Sequence, residues 1–373
     1  MNWRVPIYIC YLLTVGVATA VAQQAHCTGP SAACGFAPFV LKIELGRTTA
    51  SAVYLGPGKA VTNRHIVLDA TEVTLVAADE RKFAAVVEPA AFDRDLVLLK
   101  VADLNLGNGP AFVEEVPRGT NVFVFGYDAV RGRSHLFPQG ELVLSAASDS
   151  SGSRIQHQAP GSVGSDGGAL ILANGALIGI ATTGSDGISE AIPVRELDRL
   201  KASVGAEHMQ THRAIGRSYR HCIETQAKIP KRRARLARRA VAYLSEACTA
   251  TGNASLIKRA AQILGRAGNL KEARDLFSVA LTEDPHALNA RIGLVVTLLL
   301  GGGHSDALTH LKWLRGVMPR NTEVLRLSIQ AGKHTGDMDF ARDALNSLEH
   351  LNPALALPMQ RILDSSGPAR SRR

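Results

Sequence analysis

The sequence predicts a two-part chain, an all-β region followed by an all-α region, and three observations predict it. Between Phe39 and about Lys201, short apolar runs alternate with Gly, Asp and Asn at the spacing of antiparallel strands. Beyond Val204 those runs give way to helical periodicity. Within the second part, small and turn-forming residues recur at a fixed interval of 34 positions. A chain of 373 residues is also too long for one ordinary core.

The elements follow in chain order. "MNWRVPIYICYLLTVGVATAVA" has a basic Arg4, an apolar run from Ile7 to Val17 and an Ala20-Val21-Ala22 site. Residues 1–22 are therefore predicted to be a secretory signal, with a secreted, periplasmic destination. Residues 23–38 form an N-terminal segment. Cys10 leaves with the signal, and four cysteines remain in an oxidising route, which fits disulfides. The spacing suggests Cys27–Cys34 and Cys222–Cys248; two other pairings remain open.

Residues 39–204 hold the strand-like runs "VLKIELG", "ASAVYLG", "EVTLVAA", "DLVLLKV", "NVFVFGY", "ELVLSAA", "ALILANG" and "ALIGIAT". They fall into two groups, Phe39–Leu106 and Gly119–Ala191, joined by "GNGPAFVEEVPRG". "IPVRELDRLKASV" then reads as a helix that closes the β region.

The second part begins with residues 205–253, a linker and a basic helical pair. "HMQTHRAIGRSYRH" is a polar linker or helix start, and Ser218–Ala250 supplies two helices stapled by Cys222 and Cys248. Ten Lys and Arg fall between Arg213 and Arg239. Residues 1–204 carry 16 Lys and Arg against 19 Asp and Glu, whereas residues 205–373 carry 26 against 14. The net charge of +9 thus belongs to the helical part, where solvated basic faces with Leu236, Val241 and Leu244 turned inward account for it better than a nucleic-acid surface.

Residues 254–365 carry the repeat. Gly268, Gly302 and Gly336 are 34 apart, as are Ala273, Ala307 and Ala341, and Pro285, Pro319 and Pro353. Phe277, Leu311 and Leu345 keep the register, as do Ala280, Leu314 and Leu348. The glycine ends a first helix, the alanine allows close helix approach, the large apolar residue fills the groove and the proline closes the unit. This is the period of tetratricopeptide repeats, whose stacked helices form a concave surface for a peptide or protein partner. Residues 366–373 read as a disordered tail. No later segment is apolar enough for a membrane span. No metal or cofactor motif is present; Gly301–Gly303 lacks the context of a phosphate loop.

Three stretches of the β region carry chemistry together. "AVTNRHIV" places His65 after a strand and turn, "FDRDLVLLKV" places Asp95 at the entry to an apolar strand, and "GSVGSDGGALI" is a glycine-rich turn. Their order over two strand-rich halves resembles the chymotrypsin/trypsin-like serine proteases, particularly secreted bacterial and Deg-type members. "GALIGIAT" and "ISEAIPV" resemble the strands and exit helix of that family. No PDZ-like domain follows. The resemblance implies two six-stranded antiparallel barrels with the active site in the cleft between them. It assigns proton transfer to His65, orientation of His65 to Asp95 (with Asp93 as the fallback), an oxyanion hole to the amides of Gly164 and Asp166, and the base of a specificity pocket to Pro160.

The family pattern has serine where this chain has Asp166. A carboxylate attacks amides weakly, forms an anhydride if acylated, and puts negative charge where an oxyanion must be stabilised. Asp166 is expected to pair with His65 and raise its pKa. Ser165 is the alternative nucleophile, reached only by remodelling the loop; Ser162 is more remote. The reading is a secreted peptidase-fold protein with an impaired site, binding peptides or proteins through its cleft and repeats. The alternative is an active periplasmic serine endopeptidase using His65, Asp95 and Ser165.

Overall fold

The structure, a computed structural model, describes residues 27–146, 153–185, 187–230 and 234–365. The predicted signal, the C-terminal tail and Lys231–Arg233 of the basic run lie outside the described residues.

A short helix, α1 (Ser31–Cys34), is tied by the disulfide Cys27–Cys34. Strands β1 (Val40–Leu45), β2 (Thr48–Gly56), β3 (Lys59–Thr62), β4 (Glu72–Val76), β5 (Lys82–Val87) and β6 (Val97–Lys100) close a barrel in the order β1-β2-β3-β6-β5-β4, with every pair antiparallel. A single helical turn, α2 (Arg64–Val67), follows β3. Side chains alternate between two buried environments. Ala52, Tyr54, Ala60, Val97 and Leu99 fill the barrel, while Val53, Val61 and Leu98 between them face the second barrel. Burial on both faces explains why runs such as "LVLLKV" show no polar alternation.

The second set comprises β7 (Asn121–Asp128), β8 (Arg133–Leu136), β9 (Gly140–Leu144), β10 (Ile155–His157), β11 (Ala169–Leu172), β12 (Leu177–Ser185) and β13 (Ile188–Pro193). Its order is β11-β12-β13-β10-β9-β7-β8, and pairing of β11 with β7 closes six strands into a barrel, with β8 added alongside β7. Val122 and Val124 point into this barrel, and Phe123 and Phe125 point to the seam with the first. Helix α3 (Glu196–Ala202) packs Leu197 and Leu200 into the same seam.

Nine further helices follow among the described residues: α4 (Met209–Lys228), α5 (Arg238–Thr249), α6 (Ala254–Ala267), α7 (Leu270–Glu283), α8 (Leu288–Leu300), α9 (His304–Val317), α10 (Thr322–Thr335), α11 (Met338–Leu351) and α12 (Pro353–Asp364). Each packs on the next as a stack of hairpins. Gly268, Gly302 and Gly336 all adopt left-handed φ, of 85°, 83° and 80°, which a side chain disfavours. Ala273, Ala307 and Ala341 have no exposed surface, and the large residues of the period lie in the core.

One open alternative closes and one expectation changes. The polar stretch after Val204 is helix α4 from Met209, because its buried face, including His212, Gly216 and Tyr219, packs inward instead of standing in solvent. A Cβ at Gly216 would lie 2.4 Å from the carbonyl oxygen of Leu68, so α4 touches the first barrel directly. Pro353 opens α12 at its first turn instead of closing a unit, where its missing N–H costs nothing. The pairings left open in the sequence resolve to Cys27–Cys34 and Cys222–Cys248, the latter joining α4 to α5. Among the described residues, no helix is long and apolar enough to cross a membrane.

The helices and the second barrel share a core. Val143 and Ile188 join the helical apolar cluster, and Asn289 Nδ2 donates to the Ile188 carbonyl at 3.0 Å.

Candidate active-site cleft

The histidine segment is set by its backbone. β3 ends at Thr62, Asn63 stays extended at φ −75° and ψ 141°, and α2 turns His65 back towards the seam. Asn63 Nδ2 and the Arg64 N–H both donate to the Asp95 carbonyl, at 3.1 and 3.2 Å. The Asp95 carboxylate then accepts twice from one residue: from the His65 N–H at 2.9 Å and from Nδ1 at 2.8 Å. Those four bonds fix both the side chain and the orientation of the ring. Asp93, the fallback, lies exposed beside Arg94 and does not meet His65.

The glycine-rich turn is held by Ser51 of β2, a residue that the sequence did not single out. Its N–H donates to the Asp166 carbonyl at 2.9 Å. Its hydroxyl donates to the Gly164 carbonyl and accepts from the Tyr127 N–H, both at 2.7 Å. Gly167 has φ 81°, and a Cβ there would stand 2.2 Å from the Ser51 carbonyl oxygen. Gly164 has φ 99°. The turn is therefore threaded between the barrels where only glycine fits.

This scaffold brings His65, Asp95 and Asp166 together. His65 Nε2 lies 3.3 Å from Asp166 Oδ2, so both ring nitrogens face carboxylates. Burial by itself would lower the pKa of His65; the charges and hydrogen bonds of Asp95 and Asp166 outweigh it and raise it to about 10. Burial would raise the Asp95 pKa, but the cationic ring, with help from Arg154, holds it below the usual carboxylate range. At that pKa both nitrogens would carry protons at neutral pH, with one N–H directed at each carboxylate.

Ser165 goes elsewhere. Its hydroxyl donates to the Ser162 carbonyl at 2.8 Å and accepts from the Ser162 N–H at 3.1 Å, and the residue is 3% exposed. Pro160 lines a separate cavity of about 220 Å³ with Val124, His157, Ala181 and Ile188.

Residues 50–180 match the family model of the Trypsin-like peptidase domain. The β region carries a trypsin-like peptidase domain. Solved structures similar to the chain include the Rv3671c protease of M. tuberculosis H37Rv in an inactive form, at 22% identity over 48% of this chain and 99% of that one, with a TM-score of 0.41. Another is the HtrA-type protease AlgW with a tripeptide, at 25% identity over 47% of this chain and 63% of that one, with a TM-score of 0.42. No curated protein matches the sequence.

The peptidase domain does not present its cleft alone. Ser255, Lys258, Arg259, Gln262 and Arg266 of α6 line a cavity of about 330 Å³ together with His65 and Asp166. Beneath it runs a chain of alternating charge. Lys258 Nζ lies 3.1 Å from Glu190 Oε1, Arg154 Nη1 lies 3.3 Å from Glu190 Oε2, and Arg154 Nη2 lies 3.8 Å from Asp95 Oδ2. Ser255 Oγ also donates to Glu190 at 2.7 Å. Burial of Glu190 would raise its pKa, yet Lys258 and Arg154 hold it at about 2. Sequence reading passed over Arg154 and Glu190. Their one signal was a charged residue inside an otherwise apolar strand, as in "ISEAIPV".

Proposed function

We propose that this is a secreted, periplasmic peptidase-fold protein whose catalytic site is impaired, and that it binds peptide or protein segments through its cleft and its helical repeats. The observation that carries this reading is the 3.3 Å approach of His65 Nε2 to Asp166 Oδ2. A histidine held protonated to a pKa of about 10 cannot take a proton from a hydroxyl at neutral pH. Ser165 does not offer its hydroxyl either, since Ser162 engages it. Asp166 also faces the position that the amides of Gly164 and Asp166 would serve as an oxyanion hole, where a second negative charge opposes stabilisation.

The secreted assignment is supported by the two disulfides. The repeat assignment is supported by the 34-residue period, the left-handed glycines and the buried alanines. A stack of such hairpins is suited to a peptide or helical partner.

The test is labelling of the chain with a fluorophosphonate, beside Ser165→Ala, Asp166→Ser and Asp166→Ser/His65→Ala. The reading expects no labelling of wild type and labelling of Asp166→Ser that depends on His65. Wild-type labelling that Ser165→Ala abolishes would overturn it in favour of an active endopeptidase.

A further inference from the structure

The helical wall of the cleft carries charge that the interior does not use. Ser255, Arg259, Gln262 and Arg266 fall three or four residues apart along α6, so they form one stripe with Lys258 beside it, and all five line the cavity above His65. The cations of that cavity divide into two kinds. His65 lies between Asp95 and Asp166, and Lys258 is buried against Glu190. Arg259 and Arg266 are exposed, and among the described residues neither has an ion pair or hydrogen bond.

We propose that Arg259 and Arg266 form an anion-binding wall that holds a carboxylate of a short peptide seated in the cleft. The proposal rests on the peptide-binding reading above and names the chemistry of its ligand. Seven residues along a helix span roughly 10 Å, the length of about three extended residues. Guanidinium groups take a carboxylate through two parallel N–H donors, which a lysine cannot do. Thr182 and Gly184 of β12 line both this cavity and the adjoining one beside Pro160, Ala181 and Ile188. An apolar side chain and a carboxylate can therefore be housed side by side. A volume of about 330 Å³ lies in the range of small-ligand sites. Asp166 faces the same space and repels an anion, so its charge works against the wall.

The experiment is calorimetric titration of the full chain with three acetylated tripeptides: Ala-Ala-Val with a free C-terminus, the same peptide as its C-terminal amide, and Glu-Ala-Val as its amide. The free acid is expected to bind about tenfold or more tightly than the neutral amide, the range of a charge-assisted hydrogen bond. Arg259→Ala and Arg266→Ala should each remove most of that preference without changing the melting temperature, since both side chains are exposed. Asp166→Asn should tighten binding of the acid. Tight binding of the Glu peptide supports a side-chain carboxylate as ligand, and weak binding of it supports a chain terminus. Equal binding of all three peptides, unaltered in the arginine variants, overturns the anion wall and leaves cleft binding standing. No binding of any of them overturns both.

Discussion

His65 concentrates the chemistry of the cleft because each of its two ring nitrogens faces a carboxylate. Its pKa of about 10 in the fold lies above the ordinary imidazole value of 6.5, so the folded chain binds that proton more tightly than the unfolded one. The stabilisation it contributes is therefore fully present below about pH 6.5 and is lost as pH rises through 10. Urea unfolding should show this loss across pH 6.5–10, and Asp166→Asn should shrink it. Nuclear magnetic resonance titration of the His65 ring should place its pKa near 10 in the wild type and distinctly lower in Asp166→Asn. An unchanged pKa in the variant would remove Asp166 as a partner. At this scale the sequence was informative. His65, Asp95 and Asp166 were legible because each sits in a motif whose neighbours, such as Thr62-Asn63 and Gly167-Gly168, are constrained by the backbone. Ser51 was not legible, since a serine in "TTASAVYLG" carries no local sign that it bonds a loop more than a hundred residues away.

At the scale of elements, periodicity was legible wherever one environment repeated. The 34-residue register identified the helix ends of α6, α8 and α10 because a left-handed residue is needed at each, and glycine meets that need at least cost. Gly268→Ala should lower stability by about 1 kcal/mol through its φ of 85° alone, as nothing lies within 4 Å of the added Cβ. Thermal unfolding would show a drop of a few degrees, whereas an unchanged midpoint would mean that the cap relaxes. The staple between α4 and α5 closes a segment with a sequence separation of 26, for which loop entropy suggests about 3 kcal/mol. Cys222→Ser/Cys248→Ser should lose that amount in denaturant melts. Strands β5, β8 and β10 escaped the sequence reading. They are short, and "KFAAVV", "RSHL" or "IQH" acquire strand character from their barrel partners more than from their own composition.

At the scale of the molecule, a buried charge chain joins the helical stack to the peptidase domain. Glu190 lies between Arg154 and Lys258, and removing its charge leaves Lys258 without its ion-pair partner and Arg154 with the longer contact to Asp95. Glu190→Gln should cost about 3–5 kcal/mol and loosen α6 from the cleft. Limited proteolysis between α3 and α4 would report it, with faster cleavage expected than in wild type. Equal cleavage rates would mean that apolar contacts such as Ile188 against the helical core hold the halves by themselves. Asp284 adds a pH dependence to the same contact. Burial raises its pKa to about 7, with Glu190 adding to the effect. Its ionisation therefore opposes the docked state increasingly as pH rises from 3.8 through 7.

The sequence by itself determined the order of the two parts, their strand and helix character, the three motifs of the cleft and the aspartate in the serine position. Local patterns specify these, because apolar periodicity, a glycine at positive φ or a residue within a motif acts over a few neighbouring positions. Only the tertiary structure decided that α6 roofs the cleft, that Arg154 and Glu190 connect it to Asp95, and that Ser165 turns to Ser162. Those depend on which distant surfaces bury one another, and no short window of residues encodes that choice.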